Sequence, residues 1–469
     1  MLDLTRRTLA NGLRVIVVRM PHLHSVTHAL MVRTGPRFES RATNGISHLV
    51  EHLLFRGTAA HPSSFEFNAA LESLGAEING QTQRDATTIH VTLPPAAAER
   101  GLQLLGELCT TPCLDGVDVE RGVVIEEILD TTDALGCELD LDTISREILW
   151  ANHPIGLPVA GRVENVEALT EEDCRAHFGR TFTARNSVLC IAGPVDGEQM
   201  FETAQRAFGS MPTGFRLAYG LTPRPQRRQP VHVQESDGSQ ISLLLSYPAP
   251  HENHPDFPSL LMLRRILDDG LSSRLRQEIC ERRGLAYSIN AAMDVYSDAG
   301  AFDVEAHCSP PNLAATFENV LRTLEDIAVA GVTDDELQRA KTRHQADLHF
   351  ALDDPAEMAA WCGAAEVVGC RFTYEERLRQ ALAVQPEDIA RLARSMFELD
   401  AAVVTLVGPV EVEHASEVEA LTGREPDSTV WLNEDQEDPD VPDASEPPIE
   451  GDASCTSTPA LVAALGPES

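Results

Sequence analysis

Residues 48–52 read His48-Leu49-Val50-Glu51-His52, and the stretch from Gly45 to Gly57 around them has two faces. Ile46, Leu49, Val50, Leu53 and Leu54 recur at helical spacing as an apolar stripe, while His48, Glu51, His52 and Phe55 point the other way. Residues three and four apart share one side of a helix, so this segment predicts a helix that packs on a core and presents two imidazoles and a carboxylate to a cavity. Neutral imidazoles at i and i+4 can bind one Zn2+ through nitrogen, and a non-ligating carboxylate beside them can accept a proton from water at the metal.

A third ligand is needed, and a second segment offers candidates. Val117 to Leu129 reads VDVERGVVIEEIL, apolar on several sides, with Glu120, Glu126 and Glu127 embedded in it. Glu120 and Glu127 are seven residues apart, two helical turns, so both leave one face and could reach a metal held by the first helix. Glu126 points elsewhere. For Glu120 a surface salt bridge, or a charge at the helix N-terminus, is the alternative reading.

His48 to His52 followed by Glu120-Arg121 and Glu127 resembles the pitrilysin/insulinase family of zinc metallopeptidases, the inverzincins, in its bacterial subfamily similar to the mitochondrial processing peptidase. Asn11-Gly12-Leu13-Arg14-Val15, Leu54-Phe55-Arg56-Gly57-Thr58, Gly75-Ala76-Glu77-Ile78-Asn79, His153-Pro154 and Ala192-Gly193 extend the likeness, which spans roughly residues 4 to 410. The resemblance implies His48, His52 and Glu127 as zinc ligands, Glu51 as general base and Glu120 as an accessory carboxylate tuning the site. It also implies that Asn79 lies on an edge strand that receives the peptide substrate.

The length, 469 residues, suits two domains and a tail. The expectation is an α+β chain of two homologous domains, each an antiparallel-rich sheet covered by helices: residues 1–215 carrying the metal site, a linker at 216–230, a metal-free repeat at 231–424, and a disordered acidic tail at 425–469. The repeat supplies an internal control. With Gly270 set against Gly57, Leu261, Arg264 and Arg265 stand where His48, Glu51 and His52 stand, so one zinc site is expected. Relatives close such halves like a clam around a chamber, with the linker as hinge.

One departure affects the implied mechanism. Active relatives carry a Tyr preceded seven residues earlier by an Arg that contacts substrate; here Gly284-Leu285-Ala286-Tyr287 keeps the tyrosine, but Cys280 stands at the arginine position. A thiol cannot offer a charged fork of donors. Either Arg282 or Arg283 substitutes, or a related subunit in a homodimer or heterodimer contributes an Arg/Tyr pair, or activity is weak.

Thirty-seven basic against 73 acidic residues give a net charge of −36, which argues against nucleic acid as a partner. The stretch from Glu434 to Pro459, rich in Asp, Glu, Pro and Ser, lacks the apolar content to order itself. Ten cysteines fit no metal spacing and read as reduced thiols. With no apolar run of 18 residues and no leader pattern at Met1 to Ala10, the expectation is a cytoplasmic protein without membrane attachment. Two functions follow: a zinc endopeptidase processing peptides or small unfolded polypeptides, or a non-catalytic, chaperone-like subunit of a peptidase complex.

Overall fold

The computed structural model describes residues 2–370, 372–424 and 428–432. The first half builds a six-stranded sheet from β1 (Asp3–Thr8), β2 (Arg14–Arg19), β3 (Val26–Val32), β4 (Glu77–Thr82), β5 (Thr87–Leu93) and β6 (Ser187–Gly193), in the order β1-β2-β6-β3-β5-β4. The second half builds another from β7 (Val231–Glu235), β8 (Ile241–Pro248), β9 (Ala286–Val295), β10 (Gly300–Cys308), β11 (Val403–Gly408) and β12 (Val430–Trp431), in the order β12-β7-β11-β8-β10-β9. The two orders repeat each other, down to the parallel pairs β2/β6 and β7/β11, and differ at the outer edge, where β1 is antiparallel to β2 but β12 is parallel to β7. Fold class is therefore α+β in two homologous units, as the repeat in the sequence predicts.

β3 and β6 are buried at every position, so both faces of the first sheet's centre are covered. One face packs on helices of its own half, including the His48 helix (Ile46–Leu54). The other face is covered by a helix from the second half, the Trp361 helix (Pro355–Val368), which lies on β2, β3 and β6. The exchange is reciprocal: the Arg146 helix (Leu141–Leu149) of the first half lies on β8 and β11 of the second sheet.

Ion pairs lock this exchange. Fully buried Arg146 donates to Asp303 at 3.1 and 2.5 Å, to Asp294 at 2.7 Å and to Ser246 at 3.0 Å. Buried Arg37 bonds Asp298 and, at 3.1 Å, Thr222 of the connecting segment. That segment carries no helix or strand between residues 209 and 230, yet it is tied down: Leu217 N–H donates to Asn186 Oδ1 at 2.9 Å, and Tyr219 stacks under the Arg37 guanidinium. Helices fill much of the contact between the halves, and the segment expected to act as a hinge is anchored on both, Thr222 N–H donating to Asp298 at 3.0 Å.

A correction concerns the stretch expected to be a disordered tail from residue 425. Val430–Trp431 pairs in parallel with β7, Leu432 N–H donates to Val233 O at 2.8 Å, and Trp431 packs against the second core. A two-residue strand leaves no periodic signal, and its acidic surroundings hide it. The stretch from Glu434 to Pro459 lies outside the described residues.

Candidate metal and peptide site

The His48 helix starts after Gly45, whose φ of 95° and close approach to Ala160 O and Gly161 Cα exclude a side chain. Its stripe of Leu49, Val50, Leu53 and Leu54 is fully buried. This fixes the opposite side of the helix toward the Glu127 helix (Val117–Asp130) and β4. His48 Nε2 and His52 Nε2 lie 3.3 Å apart, and Glu127 Oε2 is 3.6 Å from the first and 3.7 Å from the second. The ligand atoms of these three residues all fall within 4.8 Å of one another.

Glu120 takes a different place. Its Oε2 is 3.4 Å from His52 Nδ1, and its Oε1 accepts from Arg56 Nη1 at 3.3 Å. A carboxylate at Nδ1 favours the tautomer with its proton there, which turns the Nε2 lone pair toward His48 and Glu127. Burial, with His52 alongside, lowers the His48 pKa to about 4, so this imidazole is neutral at pH 7 and its lone pair is available. Two imidazole nitrogens and one carboxylate oxygen, converging on one point, form a donor set suited to Zn2+. One other carboxylate convergence among the described residues, Asp142, Asp294 and Asp303, encloses the Arg146 guanidinium instead.

Glu51 is buried and stands apart from the three ligands. Burial raises its pKa, while Thr82 pulls the other way by donating to Oε2 at 2.7 Å. On its far side, a Cβ built at Gly80 would come 2.4 Å from Glu51 Oε1, so only glycine lets β4 approach the carboxylate this closely. Thr82, Gly80 and Arg56 are the site residues that motif spacing does not reveal. Alternation along β4 is the available signal, since residues 78, 80 and 82 share the face turned to the His48 helix.

That alternation turns the Asn79 side chain to the opposite face, where Asn79 pairs in register with His90 and donates to Glu77 at 3.4 Å. Asn79 therefore lies on the expected edge strand but does not point at Glu51. Tyr287, at the start of edge strand β9, is 80% exposed. Arg282 and Arg283 both pair with Glu278. Cys280 packs against the second core, and its thiol pKa is raised by burial. Among the described contacts, none joins these four residues to His48, His52 or Glu127.

The family described as insulinase, peptidase family M16, matches residues 14–161, and the M16 inactive domain matches residues 168–343. An uncharacterized zinc protease of Mycobacterium leprae is 30% identical over 407 residues, covering 84% of this chain and 89% of that protein. The chain belongs to the M16 peptidase family. Another M16-type relative, an uncharacterized zinc protease of Streptomyces coelicolor, is 29% identical over 88% of this chain and 91% of its own length. The fold is shared with a protease from Helicobacter pylori (TM-score 0.81, 22% identity, 87% of this chain and 100% of that one). Complex III2 of Candida albicans shares it too (TM-score 0.73, 16% identity, 88% and 99% coverage). In this M16 chain, the stretch matched by the inactive-domain description takes in Leu261, Arg264 and Arg265.

Proposed function

We propose that this chain is a zinc-dependent endopeptidase for peptides or small unfolded polypeptides, working as the catalytic subunit of a homodimer or heterodimer. The convergence of His48 Nε2, His52 Nε2 and a Glu127 oxygen is the observation that carries the reading. His48, His52 and Glu127 would hold the metal, and Glu120 would orient His52 and keep its proton on Nδ1. Bound there, zinc supplies a Lewis acid that polarises a peptide carbonyl and acidifies water.

The remaining steps belong to the chain's own groups. Glu51, held by Thr82 and raised in pKa by burial, takes the proton of the attacking water and hands it to the leaving amine. β4 ends its sheet, so its outer N–H and C=O groups can pair with an extended peptide and fix the scissile carbonyl beside Glu51. Glu127 is 46% exposed, which leaves one side of the ligand cluster open to water. A second subunit would close that side and bring an Arg/Tyr pair, since Cys280 packs into its own core and Tyr287 lies on the other sheet's edge. In this reading residues 1–215 are the metal domain, 231–424 the metal-free repeat and 216–230 the connection. A cytoplasmic setting belongs to this reading, and among the described residues no helix is long and apolar enough to cross a membrane.

The rival, a non-catalytic subunit, would leave the complete ligand set without a use. Elemental analysis of the purified protein is the test: about one zinc per chain is expected, lost in His52→Ala and in Glu127→Ala. Undiminished zinc in both variants would remove the ligand assignment.

A further inference from the structure

The face of β4 turned away from Glu51 is also lined. Gln81 of β4, Thr88 and His90 of β5 and Met31 of β3 form one wall of a crevice of about 470 Å³, and Ala360 and Trp361 of the second half form the other. The crevice runs along the flank of the Trp361 helix, whose packing is with β2, β3 and β6. It reaches the edge strand itself, because Gln81 belongs to it. Its chemistry is apolar below and polar at the rim: Met31 is buried, Trp361 stands edge-on to Tyr374 at 5.2 Å, and Ala360 is small and exposed.

Strand geometry connects this crevice to the reaction. In a peptide added to β4, successive side chains alternate between the two faces of the sheet. Those on one face meet Ile78, Gly80 and Phe55 beside Glu51, and their neighbours meet Gln81, the crevice residue carried by the edge strand, on the other. We propose that this crevice is a specificity subsite that takes bulky apolar, above all aromatic, side chains from alternate positions of the bound peptide. It rests on the reading of β4 as the substrate edge. The second half thereby reads substrate sequence through the Trp361 helix, although it has no metal ligands of its own. A pocket of this size, with an indole and several alanines in its wall and Asp85 and Glu357 also lining it, favours a ring over a small or an acidic side chain.

The test uses full-length Glu51→Gln protein, in which a bound peptide stays intact, and decapeptides carrying one benzophenone side chain moved stepwise along the sequence. Crosslinks mapped by mass spectrometry are expected to alternate with period two: one parity labels Gln81 and the Trp361 helix, the other Phe55 and Ile78. Ala360→Phe, which fills the crevice from an exposed helix position, is expected to weaken binding of peptides with Phe at the first parity roughly tenfold while leaving their Ala counterparts unchanged. Labelling without alternation, unchanged binding in Ala360→Phe, or no saturable binding of any peptide would overturn the subsite. Alternating crosslinks in a chain that holds no zinc would defeat the peptidase reading and leave the subsite standing. Wild-type cleavage without alternation would do the reverse.

Discussion

Gly80→Ala is a one-carbon perturbation aimed at the general base. Gly80 is not among the glycines with positive φ, so the backbone of β4 accepts alanine without strain. The added Cβ, however, would stand 2.4 Å from Glu51 Oε1, 2.9 Å from Glu51 Cδ and 2.9 Å from Phe55 Cε2. Restoring ordinary van der Waals contact moves the carboxylate by about 1 Å. The side chain can swing at small cost in stability, but doing so breaks the 2.7 Å bond from Thr82 and carries the base off its line to the attacking water. A misplacement of about 1 Å costs ~100-fold in rate, equivalent to about 2.7 kcal/mol of barrier. The expected outcome is therefore a kcat/KM on a quenched fluorescent peptide reduced ~100-fold, with zinc content and melting temperature close to wild type. Turnover within twofold of wild type would refute the claim that contact with β4 aims Glu51.

Three further outcomes are expected. Arg146→Met strands the buried Asp303 carboxylate and should cost about 3–5 kcal/mol in denaturant melts, whereas Arg146→Met combined with Asp303→Leu should recover most of that loss. His28 is buried, which lowers its pKa to about 4 against a weaker opposing bond to Ala98 O at 2.8 Å. Between about pH 4 and 6.5 the unfolded chain takes up a proton that the folded chain refuses, so the His28 contribution is complete above 6.5 and is lost as pH falls. His28→Gln should flatten the stability–pH slope in that window by up to about 1.4 kcal/mol per pH unit. Truncation after Arg424 removes β12 and should lower the melting temperature more than truncation after Leu432, which keeps it; equal effects would show that the Val430–Trp431 pairing contributes nothing.

The convergence of these side chains was legible because helical spacing is a short-range property: His48, His52, Glu120 and Glu127 are placed by turns within two helices, and the apolar stripe under His48 says which side faces the core. What positions Glu51 was not legible, because Thr82 and Gly80 reach it through strand pairing 29 to 31 residues away in sequence, which no local pattern encodes. Asn79 shows the limit from the other direction. Its place on the edge strand could be read from the sequence, but which face its side chain takes could not, and alternation turns it away from Glu51. The exchange of the Arg146 and Trp361 helices between sheets was hidden for the same reason, since an apolar helix face does not specify which sheet it covers.

Glu51→Gln tests the central claim most directly, because the amide keeps the shape of the carboxylate and its bond from Thr82 but cannot accept the proton of the attacking water. Measured on one preparation, zinc per chain and peptide turnover should separate: zinc as in wild type, and kcat lower by ~100 to 10,000-fold. Wild-type turnover in a zinc-replete Glu51→Gln protein would contradict the assignment of Glu51 as the base.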